Sequence, residues 1–139
     1  MKPIKLPYIF VIGNEKGGAG KTTCSMHLIA GLLAEDLKVA SLDIDCRQGS
    51  LTRYIENRKA YNAKNPDKPV SVPHHFLLAE SKATTISERE KEELEQFERI
   101  LKEAKDYADV IVIDTPGSHS FLSKLAHSHA DTVITPIND

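Results

Sequence analysis

The chain has 139 residues, a length that suits one domain, with 40% hydrophobic residues and few aromatics, as in an ordinary soluble α/β protein. A net charge of −2 leaves no overall basic field to imply nucleic acid. No apolar run approaches the roughly 18 residues of a membrane span, and the N-terminal Met1-Lys2-Pro3-Ile4-Lys5-Leu6-Pro7 lacks a long apolar signal core. Cys24 and Cys46 have no metal spacing and read as reduced, buried thiols of a cytoplasmic protein.

Tyr8–Ile12 is continuously apolar, the pattern of a buried parallel strand. Gly17, Gly18 and Gly20 follow, then Lys21, Thr22 and Thr23 at the start of a helix that runs to about Glu35. Glycines let the backbone curl so that several N–H groups point at one anion, and the helix N-terminus adds partial positive charge. Lys21 then reaches the β/γ-phosphates, and the Thr22 hydroxyl is placed to ligate Mg²⁺. Met26, Ile29, Ala30 and Leu33 form one face of this helix, with His27 as a packed or surface residue.

A second strand within Lys38–Ile44 ends in Asp43-Ile44-Asp45. In an open α/β sheet, ligands sit outside the carboxyl ends of strands. Two carboxylates there face the phosphates and the cation, where one can hold a metal-bound water or orient an attacking one. A pair of turn acids is the plainer alternative. Ser50 reads as the N-cap of a short helix, Leu51–Arg58. Residues 59–85 carry Pro66, Pro69 and Pro73 and read as an irregular connection, with His74-His75 in a surface loop.

Ser87-Glu88-Arg89-Glu90 fits a capping box for a helix to about Tyr107, in which Leu94, Phe97, Leu101 and Ala104 recur at helical spacing with Ile100 alongside. Val110–Ile113 is a third buried strand, and Asp114-Thr115-Pro116-Gly117 follows it. The strand fixes the Asp114 carboxylate, which is placed to hold a Mg²⁺ water. Gly117 could offer a backbone N–H to the γ-phosphate, so that loop 115–119 senses hydrolysis as an order–disorder switch. His119 reads as a loop histidine. Phe121–Ala130 is a further helix, and Asp131–Pro136 is the fourth strand.

Lys16-Gly17-Gly18-Ala19-Gly20-Lys21-Thr22 resembles the deviant Walker A motif, K-G-G-x-G-K-S/T, of the ParA/MinD ATPases. Asp43 to Gln48 and Ile113 to Gly117 resemble the same superfamily. The run Gly13 to Lys21, Asp43-x-Asp45-x-Arg47-Gln48, Glu56-Asn57-Arg58 and the terminal Thr135-Pro136-Ile137-Asn138-Asp139 are most similar to its MipZ branch. The resemblance implies a P-loop NTPase three-layer α/β fold with a mostly parallel sheet. Residues 1–139 are then the N-terminal half of a longer ATPase domain, ending after about four strands.

The resemblance also implies ATP and Mg²⁺ as cofactors and an ATP-dependent homodimer. Gly17, Gly18, Ala19, Gly20, Lys21, Thr22, Thr23 and Gly117 would bind nucleotide. Thr22, Asp43 and Asp114 would serve the metal. Lys16, Lys21 and Asp45 would be catalytic, with Lys16 reaching the partner's phosphates and Asp45 ordering the water. ParB, FtsZ and DNA bound without sequence preference are the implied partners, in a cytoplasmic, nucleoid-associated protein that regulates division-site placement. A ParA-type chromosome or plasmid partition ATPase, and an inactive nucleotide-binding fragment, are the competing readings.

Overall fold

The computed structural model describes residues 6–13, 20–45, 47–116 and 120–136. In chain order the elements are β1 (Tyr8–Ile12), α1 (Lys21–Ala34), β2 (Val39–Asp43), α2 (Ser50–Lys64), β3 (His74–Leu77), α3 (Ile86–Tyr107), β4 (Val110–Asp114), α4 (Phe121–Ser128) and β5 (Thr132–Ile134). The five strands form one parallel sheet in the order β3-β2-β4-β1-β5.

Side chains alternate across the sheet and divide the core in two. Ile9 and Val11 of β1, Ala40 and Leu42 of β2, and Ile111 and Ile113 of β4 pack on one face with Phe97, Ile100, Leu101 and Ala104 of α3 and Leu122 and Ala126 of α4. Ile12, Val39 and Val112 lie on the other face with Ile29 of α1 and Leu51 and Ile55 of α2. Both faces are therefore covered, which is why the strands read as apolar runs rather than as alternating ones. Phe97 is fully buried at the centre of the α3 face.

Six expectations change in detail. The sheet has a fifth strand, β3, inside the stretch that reads as irregular. Three proline residues and polar composition hide it, and its pairing with β2 supplies what four residues cannot supply alone. β3 lies at the sheet edge. Helix α2 extends to Lys64, beyond Arg58. Its last turns are tied to the following segment: the Asn62 side chain accepts from Val70 N and donates to Val70 O, and Arg58 donates to Ser71 O.

The caps also differ. Gly49, in the left-handed region at φ 57, precedes α2 without a side-chain cap, and Ser50 is already helical. Thr85, not Ser87, caps α3: its hydroxyl accepts from Glu88 N. Helix α4 stops at Ser128, two residues early, where His129 and Ala130 N–H groups close onto Ala126 and His127 carbonyls. Cys24 is half-buried rather than buried.

The strand ends are knitted together where the loops leave the sheet. Gly13 N donates to Ile134 O, Ile44 N to Asp114 O, and Leu78 N to Asp43 O. Thr115 donates twice to Ile12 O, from its N–H at 3.2 Å and from its hydroxyl at 2.8 Å. The carboxyl ends of β1, β2, β4 and β5 are thereby held as one platform.

Candidate functional site

Lys21, Asp45 and Asp114 meet on this platform. Parallel register sets Asp43 directly beside Asp114, at the last positions of β2 and β4. Both lie on the sheet face covered by α1 and α2, in phase with Val39 and Val112. Helix α1 leaves Gly20 and lays Lys21, Ser25 and Ile29 against the sheet, one residue per turn. Its buried stripe is thus polar at the N-terminal end. This differs from the expected face, in which Met26 and Leu33 are only half-buried.

The Lys21 ammonium lies 3.0 Å from Asp114 Oδ1 and 3.7 Å from Asp45 Oδ2. Lys21 and Asp114 are almost wholly withdrawn from solvent, and Asp45, with its side chain 13% exposed, is the most open of the three. The Ser25 hydroxyl lies 3.0 Å from Asp114 Oδ1 and 3.1 Å from Lys21 O. Burial pushes the Asp114 carboxyl above its ordinary pKa. The Lys21 charge, with hydrogen bonds from Lys21 and Ser25, opposes that rise, and Asp43 adds to it. Asp114 is thus a carboxylate whose charged form depends on cations beside it. The Cys24 thiol is likewise pushed up, first by burial and then by Asp114.

Asp43 has a different setting. Its Oδ1 accepts from Asp45 N at 3.1 Å, and its Oδ2 accepts from Thr52 N at 3.0 Å and the Thr52 hydroxyl at 2.7 Å. The side chain therefore braces the turn from β2 to α2 and holds the backbone of Asp45. Thr52 is a residue that sequence reasoning missed, because nothing in its neighbourhood marks it. Ser25 was also missed, although its position four residues after Lys21 on a helix puts it on the same face.

His75 is a further correction. It lies in β3, half-buried, rather than in a surface loop. Its Nδ1 is 2.7 Å from Ser41 Oγ and its Nε2 is 2.8 Å from Thr52 Oγ1. Burial lowers its pKa to about 4; Asp43 opposes the shift and Lys59 adds to it. Lys16, Gly17, Gly18, Ala19, Gly117, Cys46 and His119 lie outside the described residues.

The geometry suits a phosphate and a divalent cation. Gly20 adopts φ 77, and a Cβ built there would meet nothing within 4 Å among the described residues. Gly20 stands at the N-cap of α1 and has no side chain to claim the first-turn N–H groups. Thr22 is half-buried beside Lys21. Among the described residues no cluster of three His, Cys, Asp or Glu side chains could hold a metal alone. Next to Asp45 a cavity of about 250 Å³ opens toward Pro116 and Ser120, with Arg89 and Glu93 of α3 on its wall.

A parallel sheet in this strand order, with a lysine at the mouth of the helix after β1 and an aspartate closing β4, defines a P-loop NTPase fold. The chain belongs to the family described as ATPase MipZ, within the ParA/MinD superfamily, and the family model matches residues 8–139. It is 30% identical over 148 residues to the sporulation initiation inhibitor protein Soj of Bacillus subtilis, covering 93% of this chain and 57% of Soj. A plasmid partition protein of Borrelia burgdorferi, solved bound to AMPPNP, matches with a TM-score of 0.64 at 25% identity, over 96% of this chain and 63% of that one. Cobyrinic acid a,c-diamide synthase from Mycobacterium smegmatis, solved with an ATP analogue and magnesium, matches with a TM-score of 0.64 at 25% identity, over 95% of this chain and 60% of that one. The chain spans about half the length of the curated relatives it matches.

Proposed function

We propose that this chain carries the nucleotide-binding half of an MgATP-dependent dimerisation switch that hydrolyses ATP, acting in division-site placement. The observation that carries the reading is the meeting of Lys21, the first residue of α1, with Asp114 and Asp45 at the carboxyl ends of the sheet. Family membership supports it. So do the structural relatives with an ATP analogue, in one case with magnesium.

Bound MgATP supplies the transferable phosphoryl group and the divalent charge that neutralises its oxygens. The residues of this chain do the rest. Gly20 turns the backbone so that the α1 N-terminus faces the phosphates. The Lys21 ammonium, already desolvated beside Asp114 and Asp45, would pair with the phosphates. Asp114, held by Ser25 and the end of β4, and the Thr22 hydroxyl would hold the cation, which would neutralise charge on the phosphate oxygens. Asp45, on the open side, orients the attacking water, and Asp43 supports the site from behind by holding the Asp45 backbone. Lys16 is assigned to the phosphates held by a second copy, with Gly17, Gly18, Ala19, Thr23 and Gly117 lining the nucleotide.

Partition rather than division is the second reading, favoured by the similarity to a plasmid partition protein. ParB, FtsZ and nonspecific DNA are the partners that the MipZ reading brings. No helix among the described residues is long and apolar enough to cross a membrane. Light scattering of the full gene product with ADP, and with a non-hydrolysable ATP analogue plus Mg²⁺, tests the switch. A dimer with the analogue only, lost on Lys16→Ala, is expected. A monomer in both states refutes it. Asp45→Ala should bind MgATP and dimerise but not turn it over; undiminished hydrolysis removes Asp45 from the mechanism.

A further inference from the structure

Behind Asp45 runs a chain of side chains that the nucleotide chemistry does not itself require. Ser41 and His75 are register partners on β2 and β3. Both lie under α2, on the face where Asp43 sits. His75 Nδ1 is 2.7 Å from Ser41 Oγ, and His75 Nε2 is 2.8 Å from Thr52 Oγ1. Thr52 Oγ1 is 2.7 Å from Asp43 Oδ2, and Asp43 Oδ1 receives Asp45 N.

The protons in this chain have one consistent direction. An ionised carboxylate only accepts, so the single Thr52 hydroxyl proton goes to Asp43. Thr52 Oγ1 must then accept from His75, which requires the proton on Nε2. In neutral imidazole, Nδ1 is then an acceptor, and the Ser41 hydroxyl donates to it. The wiring reads Ser41 to His75 to Thr52 to Asp43, and Asp43 ends on the amide of Asp45. Were His75 to carry its proton on Nδ1, Nε2 would compete with Asp43 for the Thr52 proton. The brace on the Asp45 turn would lose its hydroxyl arm.

We propose that His75 is a positioning residue for Asp45, acting from the edge strand by committing the Thr52 hydroxyl to Asp43. This rests on the reading of Asp45 as the residue that orients the attacking water. The role separates His75 from a residue that merely fills space, because it depends on a donor at one atom. A glutamine amide nitrogen can stand where Nε2 stands, whereas a phenylalanine ring cannot donate.

Two measurements on the full gene product test it. Imidazole ¹⁵N shifts give the tautomer without any activity. The Nε2–H form is expected, and an Nδ1–H form overturns the proposal. Steady-state MgATP hydrolysis gives the consequence. Thr52→Val and His75→Phe should each lower kcat by about three- to tenfold with KM little changed, the scale of one lost positioning hydrogen bond. His75→Gln should keep most of the rate, and the Thr52→Val/His75→Phe double variant should be no slower than the slower single one. Unchanged kcat in both singles, multiplicative losses in the double, or a loss in His75→Gln equal to that in His75→Phe, overturns the proposal. If Asp45→Ala hydrolyses MgATP at the unaltered rate, the reading of Asp45 falls instead, and with it the purpose assigned to His75, whichever tautomer is found.

Discussion

Acid should destabilise this protein through His75. Its ordinary pKa of 6.5 applies to the unfolded chain, and burial between β2 and α2 lowers the folded value to about 4. Above 6.5 the ring is neutral in both states and its contribution to stability is fully present. As pH falls below 6.5 the unfolded chain takes up a proton that the folded chain refuses, so stability is lost until the folded ring also titrates near 4. Asp43 pulls toward protonation and Lys59 against it, but desolvation is the largest influence. The gap between 6.5 and about 4 corresponds to about 3 kcal/mol, reduced to about 2 kcal/mol for a ring that keeps some contact with solvent. Urea unfolding from pH 7.5 to 4.5, compared with His75→Gln, isolates this contribution from carboxylates that titrate in both proteins. The unaltered protein should lose about 2 kcal/mol more than the variant over that range. Parallel curves would refute the claim that His75 is held neutral by its surroundings.

Lys21→Ala should abolish MgATP binding in titration calorimetry; an unchanged affinity would sink the phosphate assignment. Gly13→Ala places a Cβ 2.9 Å from His127 Cε1, so something must shift, at a cost of about 1–3 kcal/mol in thermal unfolding. Adding His127→Ala should recover most of that loss, and no recovery would mean that the backbone rather than the ring is at fault. Phe97→Ala, at the centre of the α3 face, should cost about 3–5 kcal/mol, and a cost under about 1 kcal/mol would show that α3 packs less tightly than its burial suggests.

Much of the fold, and the residues proposed for the site, could be read along the chain because their signals are local. The apolar run of β1, the glycines before Lys21, the carboxylates closing β2 and β4, and the spacing of Phe97, Leu101 and Ala104 each need only a few neighbouring residues to be read. Hydrophobic periodicity and turn chemistry are properties of short windows. The parallel α/β class follows from them, because buried strands joined through helices have few other ways to pack.

Other features were settled only when distant segments met. The four residues of β3 become a strand by pairing with β2, and the length of α2 follows from Asn62 and Arg58 holding the chain at Val70 and Ser71. The cap of α3 falls on Thr85 because that hydroxyl, two residues before Ser87, reaches the Glu88 amide. The Lys21–Asp114 pair spans 93 positions, and the path from Ser41 through His75 and Thr52 to Asp43 joins two strands and a helix. Sequence alone determined which residues could bear charge, bind phosphate or enter a core. Only the sheet register and the seating of α1 and α2 decided which of them touch, because a hydrogen bond depends on tenths of an ångström that no local pattern encodes.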